Sequence, residues 1–82
     1  MAKVYLPLEV ARSFAAGVGE HEVEAADIRS LVARLDQRLP GIAARLERGF
    51  AVAIDGEIIQ DWFIEDLRPA SEVRFLPAIE GG

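Results

Sequence analysis

The chain has no cysteine among its 82 residues. That excludes a disulfide framework, a thiolate metal site and a cysteine nucleophile of its own, and it fits a reducing compartment. A single histidine, His21, has no second histidine and no cysteine to complete a metal site, so metal binding and acid–base work are both disfavoured. No apolar stretch approaches the roughly 18–20 residues that span a bilayer. No basic segment followed by an apolar run opens the sequence, so no signal peptide is expected. Positive charge is scarce as well: 9 Lys and Arg stand against 14 Asp and Glu, for a net charge of −5. Nucleic-acid binding and docking on anionic lipid both want a basic surface. These absences point to a cytoplasmic protein with no nucleic-acid and no membrane partner, whose acidic surface suits basic protein partners.

What is present is enough for one compact domain and too little for two. A domain of this size buries only about 60% of the surface its unfolded chain exposes, which leaves little spare stability for a deep cavity. The hydrophobic fraction is 51%, but 13 of those residues are alanine. The core must therefore come from Val, Leu, Ile and the aromatics.

Residues 3–9 read as a first strand, with Val4, Leu6 and Leu8 on one face by the period-two rule. Pro7 is awkward there because it cannot donate to a ladder, so it is expected near the strand's end. Residues 12–16 read as a short turn, and Gly17-Val18-Gly19 as a loop. His21, Val23 and Ala25 mark one side of a second strand. Asp27 is placed as a helix N-cap. Ile28, Leu31, Val32, Leu35 and Leu39 then form one helical stripe. Pro40-Gly41 interrupts the helix, and Ile42 with Leu46 continues as a short second one to about Arg48. Phe50, Val52 and Ile54 mark a third strand. Asp55-Gly56 is a strong hairpin turn, with a short fourth strand over 57–60. Trp62, Phe63, Ile64 and Leu67 show no clean period, and Trp62 and Phe63 read as satellite core. Pro69-Ala70-Ser71 reads as a turn. Residues 72–76 form the last strand, with Val73 and Phe75 on one face and Arg74 and Leu76 on the other, ended by Pro77.

The order strand, strand, helix, strand, strand, strand fits an α+β fold: an open mixed sheet of four to five strands with one main helix and a short second helix on one face. This is the β-grasp arrangement, with the first and last strands parallel at the sheet centre. The domain is expected over 1–77, with 78–82 a flexible tail ending in Gly81-Gly82. A terminal Gly-Gly is a weak motif alone, because frayed ends also carry it. The β-grasp order, and a strand running through Pro77 into the tail, give it weight. Asp55, Glu57, Asp61, Glu65 and Asp66 read as a solvated face that could also meet a basic partner. Ser13, Ser30 and Ser71 have no base nearby in sequence, so serine catalysis is not supported.

Lys3-Val4-Tyr5-Leu6 opening a strand, Arg12 after it, the capped helix, and the ending from Glu72 through Phe75-Leu76-Pro77 to Gly81-Gly82 resemble the ubiquitin-like sulfur carriers of molybdopterin and thiamine biosynthesis. Length and the Phe-Leu-Pro ending look closest to the small subunit of molybdopterin synthase. Two departures stand out: Ala70-Ser71 where the family often has Gly-Asp, and Glu80 where a small residue is common. The resemblance implies a protein that is not itself an enzyme and binds no cofactor. An adenylating enzyme related to ubiquitin-activating enzymes would use ATP to activate the Gly82 carboxylate. A sulfur donor would then leave a Gly82 thiocarboxylate, and that sulfur would go to an acceptor such as the molybdopterin synthase large subunit. The same chemistry feeding thiamine or another pathway, a modifier forming isopeptide bonds, and a plain binding module are the rival readings.

Such chemistry needs no side chain on the carrier, only a terminus that enters another protein's active site. Glycine at positions 81 and 82 lets the backbone pass a narrow channel. Ordering 78–82 costs about 1–2 kcal/mol per residue, while burying Ile79 returns only about 1.5–3 kcal/mol. A docking surface on the body must add to main-chain hydrogen bonds along the tail. Phe75, Leu76, Pro77, Ile79 and Glu80 are the expected partner-binding residues, with Tyr5 or Leu6 on whichever face the helix leaves open. Phe75 shares its face with Val73 and reads equally as core.

Overall fold

The computed structural model describes residues 1–78. Five strands form one mixed sheet: β1 (Ala2–Tyr5), β2 (Glu20–Val23), β3 (Phe50–Ile54), β4 (Glu57–Ile59) and β5 (Glu72–Pro77). Their order in the sheet is β2-β1-β5-β3-β4. β1 and β5 are parallel neighbours, with Lys3 beside Glu72 and Tyr5 beside Arg74, and the other three pairings are antiparallel. This is the β-grasp topology the element order implies. Helices α1 (Leu8–Phe14), α2 (Ile28–Arg38) and α3 (Ile42–Leu46) and a 3₁₀ turn at Trp62–Ile64 complete the described residues.

α1 corrects the sequence reading, which carried the first strand to residue 9 and made 12–16 a turn. The strand stops at Tyr5. Pro7, at φ −59° and ψ 149°, is the last non-helical residue before the helix, and its carbonyl accepts from Ala11 N at 2.9 Å. Proline's missing N–H costs nothing at a helix start, where it would have no intrahelical partner. Val10, Ala11 and Phe14 then face inward at helical spacing, while Leu8 is 62% exposed. The alternation of Val4, Leu6 and Leu8 was a coincidence of a strand followed by a helix.

The rest of the layer over the sheet follows the reading closely. Asp27 caps α2, its Oδ1 accepting from Ser30 N at 2.7 Å. Ile28, Leu31, Val32 and Leu35 are buried along its inner stripe. Past Pro40 the chain turns through Gly41 at φ 95°, a conformation that costs any residue with a Cβ. The Asp36 Oδ1 accepts from Gly41 N at 3.1 Å and Ala43 N at 3.0 Å, supplying an acceptor for the start of α3. The β3–β4 hairpin turns at Asp55-Gly56 with φ 50° and 87°, both positive as a type I′ turn requires.

One core lies between the helices and the inner sheet face. Val4, Val23, Val52, Val73 and Phe75 meet Val10, Ile28, Leu31, Leu35, Ile42 and Leu46 there. Trp62 belongs to this core and is not a satellite: it is 6% exposed, its Nε1 donates to the Phe50 carbonyl at 3.0 Å, and its ring stands edge-on to Phe75 with centroids 5.6 Å apart. Its polar atom is thus satisfied as it is buried, the condition for a tryptophan inside.

Candidate functional site: the end of the last strand and the open sheet face

β5 is the strand that precedes the expected tail. It lies between β1 and β3, so both of its edges are hydrogen-bonded. Its register sets Val73 beside Ile54, Phe75 beside Val52 and Pro77 beside Phe50. Ala78, expected in the free tail, still donates from its N–H to the Gly49 carbonyl at 2.8 Å. The body therefore holds the chain one residue further than the sequence reading allowed. Ile79, Glu80, Gly81 and Gly82, the rest of the expected site, lie outside the described residues.

Around this exit the structure gathers residues from four elements. Pro7 and Leu8 open α1 there, because β1 and β5 run in the same direction. Phe50 starts β3 beside Pro77. Arg45 of α3 is stacked over the Phe50 ring, 4.9 Å from its centroid, and bridges to Glu9 of α1. That ion pair is solvent-facing and worth little by itself, but it ties three elements together at the exit. A shallow depression of about 330 Å³, lined by Glu47, Phe50, Gln60, Asp61, Trp62 and Phe63, borders the same corner.

The alternation of β5 decides which expected contact residues are available. Phe75 is 3% exposed and packs against Trp62 in the core, so its ring is not presented to a partner. The core reading of Phe75 is the one the structure supports. Leu76 is half-buried on the opposite, helix-free face, and Pro77 is exposed. Tyr5 of β1 is half-buried on the open face, while Leu6, just past the strand, is buried. Arg74 stacks on Tyr5, 3.9 Å from the ring centroid. Beside them Ala51 pairs with Leu76, Ala53 pairs with Arg74, and Ile58 of β4 faces Ala53 and is 63% exposed. Tyr5, Arg74, Leu76 and Ile58 thus lie on the open face next to the exit, above Ala51 and Ala53, which are 4% and 8% exposed. Sequence reading missed the alanines and Ile58. The signal was there in the alternation of Ala51 and Ala53 with Val52, which puts the alanines on the side of the sheet away from the helices.

At the other end of β5 a polar cluster fixes where the strand begins. Ser71 is 1% exposed; its Oγ accepts from Arg68 N at 2.9 Å and donates to Asp55 Oδ2 at 3.1 Å. Asp55 Oδ1 accepts from Glu72 N at 2.9 Å. The hydrogen bond from the Glu72 N–H, helped by the Ser71 hydroxyl and by Arg68, holds the Asp55 carboxyl below the usual carboxylate range. Asp55 is therefore a strand anchor and not simply part of a solvated acidic face. His21 is also accounted for: its Nε2 lies 2.7 Å from the Val18 carbonyl and donates to it. Among the described residues no group of three or more His, Cys, Asp or Glu could hold a metal ion.

The parallel central strands and the capped helix packed across one face of the mixed sheet define a ubiquitin-like β-grasp protein. The pattern of the ThiS family matches residues 10–82, and the chain belongs to that family of small, non-catalytic, ubiquitin-like sulfur carriers. Among solved structures, CysO in the BexX/CysO complex from Amycolatopsis orientalis superposes with a TM-score of 0.84 at 22% identity, over 100% of both chains. CysO from Mycobacterium tuberculosis gives 0.85 at 16% identity, over 96% of this chain and 100% of that one. A putative molybdopterin converting factor, subunit 1, from Pyrococcus furiosus gives 0.67 at 21% identity, over 95% and 97%. A search of curated protein sequences gives no match. Among the described residues no helix is long and apolar enough to cross a membrane.

Proposed function

We propose that this protein carries sulfur as a thiocarboxylate on Gly82. A partner enzyme transfers AMP from ATP to the Gly82 carboxylate, which turns a poor electrophile into an acyl adenylate with a good leaving group. A sulfur donor displaces AMP, and the thiocarboxylate then acts as the nucleophile in an acceptor enzyme. The observation that carries this reading is the family match running to the last residue, joined to a central strand that hands the chain outward at Pro77 and Ala78. Partner enzymes dock on the open face of Tyr5, Leu76 and Ile58 and on Pro77, and draw in Ile79, Glu80, Gly81 and Gly82. Ordering those four residues costs about 4–8 kcal/mol at the usual 1–2 per residue, so the face must contribute to binding.

The acceptor in this reading is a molybdopterin synthase large subunit, on the strength of the Phe-Leu-Pro ending before the Gly-Gly. One observation favours a second reading, the same chemistry feeding another pathway. The fold superposes more closely on the two CysO proteins than on the converting-factor subunit. Intact mass after incubation with ATP, a sulfur donor and an activating enzyme tests the chemistry. Exchange of one oxygen for sulfur at the terminus is expected; no ATP-dependent change with any activating enzyme of the ubiquitin-activating type would overturn it. Offering the charged carrier to a molybdopterin precursor on its synthase separates the two pathways.

A further inference from the structure

An activated acyl carbon at Gly82 is open to attack by any amine it can reach, and this chain has almost none. Of its 9 basic residues, 8 are arginine, whose guanidinium stays charged and is no nucleophile; the single lysine is Lys3. Lys3 sits on β1 beside Glu72, the first residue of β5. The exit lies at the other end of that strand. From Glu72 to Ala78 the extended chain covers about 20 Å. The four residues beyond Ala78 span at most about 14 Å fully stretched, and reversing direction takes about four residues by itself. The extended Lys3 side chain adds about 6 Å of reach, but a tail that spends its residues on the turn still falls short of it.

We propose that Lys3 is the one side-chain acceptor in this protein for its own activated terminus, and that its place at the far end of β1 restricts the reaction to attack between two copies. The consequence is a carrier that stays activated while dilute and forms a Gly82–Lys3 linked dimer when crowded. In that step the Lys3 Nζ attacks the Gly82 acyl carbon and a C–N bond forms. The bond from that carbon to the leaving group breaks, the leaving group departs with the electron pair, and the amine proton passes to solvent. AMP is the leaving group from an adenylate, and a thiol from a thioester.

The inference rests on the acyl chemistry proposed above. Its test uses the full chain with a chemically prepared C-terminal thioester and an acetylated α-amine, which needs no activating enzyme. Failure here is therefore distinguishable from failure of ATP-dependent charging. At low concentration the thioester of the unaltered chain is expected to hydrolyse at the rate of the Lys3→Arg variant, with no lactam, the product lighter than the acid by one water. At high concentration a dimer joined at Lys3 is expected, forming with second-order kinetics and absent in Lys3→Arg. Arg48→Lys places an amine next to Gly49, whose carbonyl holds Ala78, and is expected to give the lactam in dilute solution. A lactam through Lys3, a dimer rate independent of concentration, no dimer at high concentration, or no lactam from Arg48→Lys would each overturn the proposal.

Discussion

Ser71 shows how much one small side chain can hold. It joins two segments: its Oγ accepts from Arg68 N and donates to the Asp55 carboxylate. Ser71→Ala leaves the part-buried Arg68 N–H without its side-chain acceptor and is expected to cost about 0.5–1.5 kcal/mol, read from the urea midpoint. Asp55 gives a pH signature. Its folded pKa is depressed, so its contribution to stability is fully present above the unfolded carboxylate pKa and is lost as pH falls through the lower folded value. Asp27, lowered by the N–H and hydroxyl of Ser30 and by Arg29, acts in the same direction at the start of α2. Asp55→Asn should make stability fall less steeply on acidification through that window, as measured by thermal melts at a series of pH values. An unchanged acid slope would assign the acid sensitivity elsewhere.

At the scale of elements, β5 is one strand with two separate tasks. Its inner residues Val73 and Phe75 build the core, and its outer residues Arg74 and Leu76 face away from the helices. Phe75→Ala should destabilise by about 3–5 kcal/mol, as large core deletions do. Leu76→Gln should change stability by less than about 1 kcal/mol yet weaken partner binding several-fold, measured by titration against an activating or acceptor enzyme. Equal stability losses for the two variants would contradict this division of the strand. The same element scale explains where sequence reading failed. α1 is only 7 residues long, so its helical period had two turns in which to declare itself, and it directly followed a strand with the opposite period. α2, with 11 residues and a capping aspartate, was readable because its stripe repeats three times.

At the scale of the molecule, the described residues form a complete core without the last four. Gly82→Ala is therefore expected to leave the melting temperature nearly unchanged while abolishing sulfur transfer, a pairing checked by calorimetry and by intact mass after charging. A shift of several degrees would mean that the terminus packs against the body. A domain of 82 residues has little apolar surface to spare for an internal cavity, and the proposed reaction at the terminus would need none.

The sequence alone determined the class of fold, because local signals set it: an aspartate cap and a 3.6-residue stripe in α2, an Asp-Gly turn between two strands, and a last strand ended by proline. It also contained the whole of the expected chemistry, since Gly81 and Gly82 need no partner in this chain to react. What only the tertiary structure decided was which faces are free. Phe75 went to the core and Leu76 to the open side because helices cover one face of the sheet and leave the other bare. Asp55 became an anchor, and Lys3 fell at the end of the sheet remote from Ala78, because parallel pairing of β1 with β5 brings together residues some seventy positions apart. No local pattern encodes a register between such distant strands; it is fixed only when the core closes.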